Sequence, residues 1–215
     1  MRAAWENFYK TRPRPWAGAV GLPEMPPGSL VLETGCGGGR LLHALARGRP
    51  GLSVIGIDIA RGSLVPLAAR FPGALFQADV SALPFRDAVF DAVLCRHVLG
   101  HLPGPGRKAA ASEMLRVLKG GGSLFFEGFS TGDARFGKGR EVEPATFARG
   151  DGIWHHYFTK EEVGRLFPGA AGAFIRENAW EERAGRTRMK RAVVTARVVK
   201  QAASGPKRQN PDHKA

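Results

Sequence analysis

Apolar residues in this chain come in short runs divided by glycine-rich turns and by segments of helical period. Ser29–Glu33 and Ser53–Asp58 are apolar stretches of strand length, and Ala74–Asp79, Ala88–Cys95 and Ser123–Glu127 extend the series to five. Between them Arg40–Arg47 returns Leu41, Leu42 and Leu45 at helical spacing. Ser63–Arg70 reads as a second helix whose first turn Pro66 limits, and Arg107–Leu118 as a third, ended by Lys119-Gly120-Gly121-Gly122. Thr159-Lys160-Glu161-Glu162 fits a capping box and opens a helix to Phe167. Ala173–Trp180 and Lys190–Lys200 then read as two late strands close enough to pair antiparallel.

Strands alternating with helices predict an α/β fold: a seven-stranded, mostly parallel sheet with helices on both faces and the last strand antiparallel. Ligands of such a sheet bind above the carboxyl ends of its strands. Residues 1–27 form an arm whose prolines at 13, 15, 23, 26 and 27 leave room for a short helix around Trp5 to Lys10. The domain proper spans 28–200, with 130–158 as a lid-like insertion read as loop over 130–152, and 201–215 as a disordered basic tail.

At 215 residues and 43% hydrophobic content the chain suits one domain with a sizeable core. No stretch approaches the roughly 20 apolar residues of a membrane-spanning helix, and the first residues lack a secretory apolar segment. The expected location is therefore the cytoplasm, with no membrane partner. Cys36 and Cys95 lie outside any metal-ligand spacing, so no metal site is predicted. The net charge of +13 is uneven: residues 1–17 carry +3 and residues 181–215 carry +7, while the long middle adds only +3. Basic ends beside a nearly neutral centre suit a polyanion, or are ordinary solvated surface.

The sharpest chemical signal is Glu33-Thr34-Gly35-Cys36-Gly37-Gly38-Gly39, set where the first strand turns into the first helix. Glycines there let a backbone approach a ligand closely. A dinucleotide loop of the form GxGxxG needs a glycine at position 40, which is Arg40, so the spacing is Glu-x-Gly-x-Gly-x-Gly. Acids recur at the ends of the next two strands, Asp58 and Asp79, and Phe90-Asp91 begins the fourth.

Over residues 29–129 this arrangement resembles the class I, Rossmann-like S-adenosylmethionine-dependent methyltransferases. Leu83-Pro-Phe-Arg-Asp-Ala-Val-Phe-Asp91 and Leu115-Arg-Val-Leu-Lys-Gly-Gly-Gly122 resemble two further runs of that family. The resemblance implies S-adenosylmethionine as cofactor, with Gly35, Cys36, Gly37 and Gly39 passing its methionine part and Glu33 near its ammonium. It implies Asp58 and Ile59 at the ribose, Asp79 and Val80 at the adenine, and Arg96 among the cofactor-binding residues. Arg96-His97 follows the fourth strand, where such enzymes place residues beside the transferred methyl; His97 is the better placed, and His101 is base or packing residue.

A narrower resemblance lies in Thr11-Arg12-Pro13-Arg14-Pro15-Trp16, which is similar to a segment of the tRNA wobble-uridine carboxymethyl methyltransferases, with Trp154-His155-His156-Tyr157-Phe158 in a comparable place after the lid. It implies RNA, specifically tRNA, as partner, methyl transfer to a carboxylate, Arg12, His97 and Tyr157 as catalytic residues, and a small zinc-binding activator protein. Burial is the alternative for Trp16 and Phe158. Two other functions stay open: a small-molecule or protein methyltransferase on the same fold, and a non-catalytic regulatory subunit.

Overall fold

The computed structural model describes residues 1–12, 21–168, 170–184 and 187–202. Arg14, Trp16, Arg186 and nearly all of the expected tail lie outside the described residues. Seven strands form the main sheet: β1 (Leu30–Thr34), β2 (Ser53–Asp58), β3 (Ala74–Gln77), β4 (Phe90–Arg96), β5 (Leu118–Phe129), β9 (Ala170–Ala184) and β10 (Thr187–Lys200). Their spatial order is β3-β2-β1-β4-β5-β10-β9. The first five are parallel, β10 runs antiparallel to β5, and β9 antiparallel to β10. Chain order reverses between β1 and β4, which opens a crevice above their carboxyl ends.

Side-chain alternation explains why these strands read as unbroken apolar runs. Leu32 and Val93 belong to one buried cluster, while Val31, Ala92 and Leu94 belong to the other. Successive residues thus feed opposite faces, and a sheet covered on both sides needs apolar residues at every position. Helices α2 (Arg40–Gly48) and α3 (Arg61–Ala68) cover one face with Leu41, Leu42, Leu45, Leu64 and Leu67. Helices α4 (Gly104–Val117) and α5 (Lys160–Leu166) cover the other with Met114, Val117 and Val163. Each fully buried Leu among them contributes roughly 1.5–3 kcal/mol.

Several boundaries differ from expectation for physical reasons. The glycines after α4 do not form a separate stop, because they are already inside β5, with Gly122 packed against backbone where a side chain would collide. Residues 130–152 are loop only in part: turns and bends fill 131–137, but β6 (Arg140–Glu143) and β7 (Thr146–Ala148) join β8 (Trp154–His156) in a small antiparallel sheet over the carboxyl edge. The arm holds a ten-residue helix, α1 (Arg2–Thr11), longer than the short segment expected, since its prolines begin only at Pro13. Half of the capping box forms: the Thr159 side chain accepts from the Glu162 amide, while the Glu162 carboxylate bonds His156 at 2.9 Å instead of reaching back to the Thr159 amide. Among the described residues no helix is long and apolar enough to cross a membrane.

Asp91 ties the far edge of the sheet together. Its carboxylate accepts the Leu30 amide at 2.9 Å and the Lys119 ammonium at 2.8 Å, joining the starts of β1, β4 and β5. Lys119 and the Leu30 amide hold its carboxyl below the usual aspartate range. That support exists above the ordinary aspartate pKa and is lost as pH falls through the lowered one. Asp91→Ala is expected to cost about 1–3 kcal/mol in denaturant unfolding at pH 7 while leaving ligand affinity intact; an unchanged unfolding free energy would remove this role.

Candidate active site

The turn after β1 is built by packing as much as by ligand needs. Cys36 donates its amide to the Ile57 carbonyl at 2.8 Å, which pins the turn to β2. Gly35 and Gly37 both hold positive φ, +62° and +52°, and a side chain would strike Val98 at the first and the Tyr9 hydroxyl at the second. Glycine is therefore required at both positions. Cys36 is buried, and burial raises its thiol pKa, so it packs rather than reacts.

Two of the predicted acids converge beneath this turn. Asp58 is buried, and its two oxygens accept the amides of Gly37 at 2.8 Å and Ala60 at 2.9 Å. Burial lifts its carboxyl above the aspartate range, against those two amides. Glu33 is buried at 6% exposure, with Oε2 unpartnered among the described residues. Burial raises its pKa to about 8, Arg96 opposes the rise, and the charge of Asp58 reinforces it. With Asp58 satisfied by two amides and Arg96 turned to Glu127, Glu33 is the carboxyl that could hold a ligand ammonium.

Asp79 behaves differently: it is exposed and caps its own turn, accepting from the Ser81 amide at 2.8 Å and hydroxyl at 2.7 Å. Val80 is buried in the core cluster beside it. Ile59 is half-buried, and its carbonyl accepts from Gln77 at 3.0 Å.

On the other side of the crevice stand the ends of β4 and β5. Glu127 accepts Arg96 at 2.6 Å through one oxygen and His97 Nε2 at 3.0 Å through the other. Burial would raise its carboxyl, but His97 and Arg96 outweigh it and hold the pKa at about 2. In a neutral His97 ring the proton therefore sits on Nε2, and Nδ1, buried and unpartnered among the described residues, keeps its lone pair. His97 also holds a positive φ of 57°, strain that the surrounding contacts impose.

The His97 ring stacks on Phe129 at 4.3 Å between centroids, and the Arg135 guanidinium lies 3.8 Å from the same ring centre. Two groups that close cannot share a face, so Phe129 is sandwiched between them. Arg149 donates to the Tyr157 hydroxyl and, at 3.1 Å, to the Arg135 carbonyl, while its Nε is buried without a partner. Buried Asp133 is the counterion of Arg135 and Arg191, at 2.8 and 3.0 Å. Among the described residues Arg149 has no carboxylate partner.

Tyr157 is nearly fully buried with its hydroxyl engaged by Arg149 and Arg135. Burial raises its pKa, which suits a residue that positions an arginine better than one that moves protons. Arg12 is exposed past the end of α1, 5.1 Å over Phe8, and meets none of these acceptor-side groups in the described contacts. His101 donates from Nδ1 to the Trp154 carbonyl at 2.7 Å and is wedged between Trp5 and His155. Burial drops its pKa to about 3, the state of a packing residue. Phe158 is fully buried in the core.

From the arm only Arg12 was expected at the site, yet it is Glu6 and Tyr9 of helix α1 that reach it. Glu6 accepts the Arg61 and Gly62 amides at 2.8 and 2.9 Å, capping α3, and Tyr9 is buried over Gly37. The spacing of Trp5, Phe8 and Tyr9 along one helical face was the available signal. Among the described residues no group of three or more His, Cys, Asp or Glu is arranged to hold a metal.

Residues 32–126 match the family described as a methyltransferase domain. Over these residues the chain carries a methyltransferase domain. It is 34% identical over 119 residues to the tRNA (carboxymethyluridine(34)-5-O)-methyltransferase of Xenopus tropicalis, covering 54% of this chain and 18% of that protein. It is 35% identical over 105 residues to a ubiquinone biosynthesis O-methyltransferase of Idiomarina loihiensis, covering 46% of this chain and 42% of that protein. The chain thus spans less than half the length of either relative. In structure it is similar to an S-adenosylmethionine-dependent methyltransferase of Methanosarcina mazei, with a TM-score of 0.68 and 24% identity over 82% of this chain and 95% of that one.

Glu33 gives the site a measurable signature. The folded chain holds this proton up to about pH 8, whereas an unfolded chain releases it near 4.5. The unliganded methyltransferase domain therefore loses stability as pH rises between those values. Glu33→Gln is expected to raise the unliganded Tm at pH 8 and to weaken S-adenosylmethionine binding in calorimetry. An unchanged Tm at pH 8 would show that Glu33 carries no such burden.

Proposed function

We propose that this chain is an S-adenosylmethionine-dependent methyltransferase acting on RNA, with a carboxylate on a modified tRNA wobble uridine as methyl acceptor. The observation that carries this reading is the acceptor side of the crevice: one aromatic ring, Phe129, among Arg135, Arg149 and Arg191, with a buried Arg149 Nε that meets no partner among the described residues. Arg135 and Arg191 are paired with Asp133 and Glu182, so Arg149 is the cation of this cluster left to favour a group bearing negative charge. The names of the Xenopus relative and its counterpart from Arabidopsis thaliana point the same way.

When bound, S-adenosylmethionine supplies a methyl group on a sulfonium, whose bonding pair stays with sulfur as the new ester forms. Glu33 balances its ammonium, Gly35 and Gly37 give it backbone room, and Asp58 offers acceptors to its ribose. Arg149 and Arg135 orient the acceptor carboxylate, held by Tyr157 and Phe129. An acceptor already ionised at neutral pH needs no base. Catalysis then rests on alignment and on exclusion of water by α1 and the β6–β8 sheet, effects that can supply roughly 7–11 kcal/mol. A small zinc-binding activator belongs to the same reading as a partner.

One observation favours a second reading, a small molecule with a hydroxyl to methylate. The free Nδ1 of His97, with Nε2–H fixed by Glu127, is arranged to take a proton from such a group.

Mass spectrometry of tRNA nucleosides from a strain lacking this protein is expected to show loss of one methyl-ester nucleoside; an unchanged profile overturns the RNA reading. With the identified acceptor, Arg149→Gln is expected to lower kcat/KM about 10- to 100-fold, the size of one charge-assisted hydrogen bond. His97→Gln is expected to leave the rate nearly flat from about pH 6 to 8. A rate that rises with pH in the parent and collapses in His97→Gln marks the hydroxyl reading instead.

A further inference from the structure

Strand β10 pairs with β5 only from Val193 to Val199, and Val193 stands opposite Phe129, the last residue of β5. Beyond that point β9 and β10 pair with each other alone, from Ala179 opposite Ala192 to Ala184 opposite Thr187. At about 3.4 Å per residue this outer ribbon reaches roughly 17 Å past the carboxyl edge of the sheet, the edge on which the crevice opens. Its root is braced, because the Ser130 and Ala134 amides donate to the Ala192 and Lys190 carbonyls at 2.9 and 3.0 Å. A bare two-stranded ribbon is marginal in water, so its length asks for a partner.

Cross-strand pairs share a face and alternate sides along the ribbon. Trp180 stands opposite Arg191, and Glu182 opposite Met189 on the same face. Arg191 fixes where that face looks: its guanidinium bonds Asp133 at 3.0 Å and lies 5.3 Å from the Phe129 ring centre, inside the acceptor pocket. Trp180 therefore overhangs the pocket mouth, and it is 46% exposed. The opposite face carries Glu181 and Lys190, then Arg183 and Arg188. Arg188 is paired with Glu181, whereas Arg183 and Lys190 are exposed with no carboxylate partner among the described residues.

We propose that this ribbon is an RNA-docking arm, in which Trp180 stacks on an unpaired base beside the nucleotide held in the acceptor pocket, while Arg183 and Lys190 hold phosphates of the strand that passes around the tip. The proposal rests on the RNA reading above. An apolar protein-docking patch is a poorer match, since the same-face neighbours of Trp180 are Arg191, Glu182 and a half-buried Met189 rather than a contiguous apolar surface. A single exposed aromatic on one face, with Arg183 and Lys190 on the other face of the same ribbon, fits a single-stranded polyanion with π-faces that passes around the tip.

The test is fluorescence anisotropy of a labelled RNA stem-loop with the sequence of a tRNA anticodon arm, against a fully paired RNA of equal length, at several salt concentrations. Trp180→Ala is expected to weaken stem-loop binding about 5- to 150-fold, to leave the salt slope and the paired RNA unchanged, and to be largely rescued by Trp180→Phe. Arg183→Ala with Lys190→Ala is expected to lower the salt slope by between about one and two. S-adenosylhomocysteine affinity, measured alongside, should match the parent in every variant and so report an intact fold. If the parent binds the stem-loop and Trp180→Ala binds it equally, or loses the paired RNA to the same extent, the stacking role is wrong and the RNA reading stands. If the parent binds neither RNA at low salt, both fall. If Trp180→Ala instead loses only a co-purifying protein, the arm serves that protein and the proposal is overturned.

Discussion

Glu33, last but one in β1, has its carboxyl buried and one oxygen unpartnered, and a group in that state burdens the fold until a ligand supplies charge. The rest of the crevice is arranged around it. Asp58 is fixed by the Gly37 and Ala60 amides, so the turn after β1 cannot drift from β2. Arg96, the nearby cation, is drawn toward Glu127 at 2.6 Å and so is shared. The site thus keeps an excess of buried acceptors on its cofactor side, which suits a cationic nucleoside and opposes an anionic one.

The acceptor side carries the opposite sign. Arg135, Arg149 and Arg191 gather where β5 ends and the β6–β8 sheet begins, with buried Asp133 compensating only part of their charge. Phe129 lets cations and His97 pack against its faces without hydrogen bonds. A cofactor with a positive sulfur and an acceptor with a negative oxygen would meet along that gradient. Helix α1 spans both halves, with Tyr9 over Gly37 on one side and Trp5 against His101 on the other.

How far the sequence could carry this account depended on whether a residue's role was set locally. The order of strands and helices was legible because burial on both sheet faces writes unbroken apolar runs, and the glycine turn because positive φ leaves few residue types. Glu33 and Asp58 could be placed for the same reason, as each lies at a strand end. Asp79 looked equivalent to them as a strand-end acid, yet it caps a turn with Ser81, while Asp91, read only as beginning the fourth strand, ties strand starts through Leu30 and Lys119. The acceptor side was illegible: Arg135, over Phe129, meets Arg149 only because β6–β8 form a sheet, where Gly and Arg content over 130–152 suggested loop. Arg12 carried a motif match but stands exposed, while Glu6 and Tyr9, with no motif, reach the crevice.

The central proposal is electrostatic: Glu33, a buried carboxyl with one unpartnered oxygen, would hold a ligand ammonium on the cofactor side of the crevice. Calorimetry of the purified protein with S-adenosylhomocysteine and with its deaminated analogue tests it directly. The account predicts a loss of at least about tenfold in affinity when the amino group is removed, the scale of one charge-assisted interaction. Equal affinity for the two ligands, or a preference for the deaminated one, would contradict it.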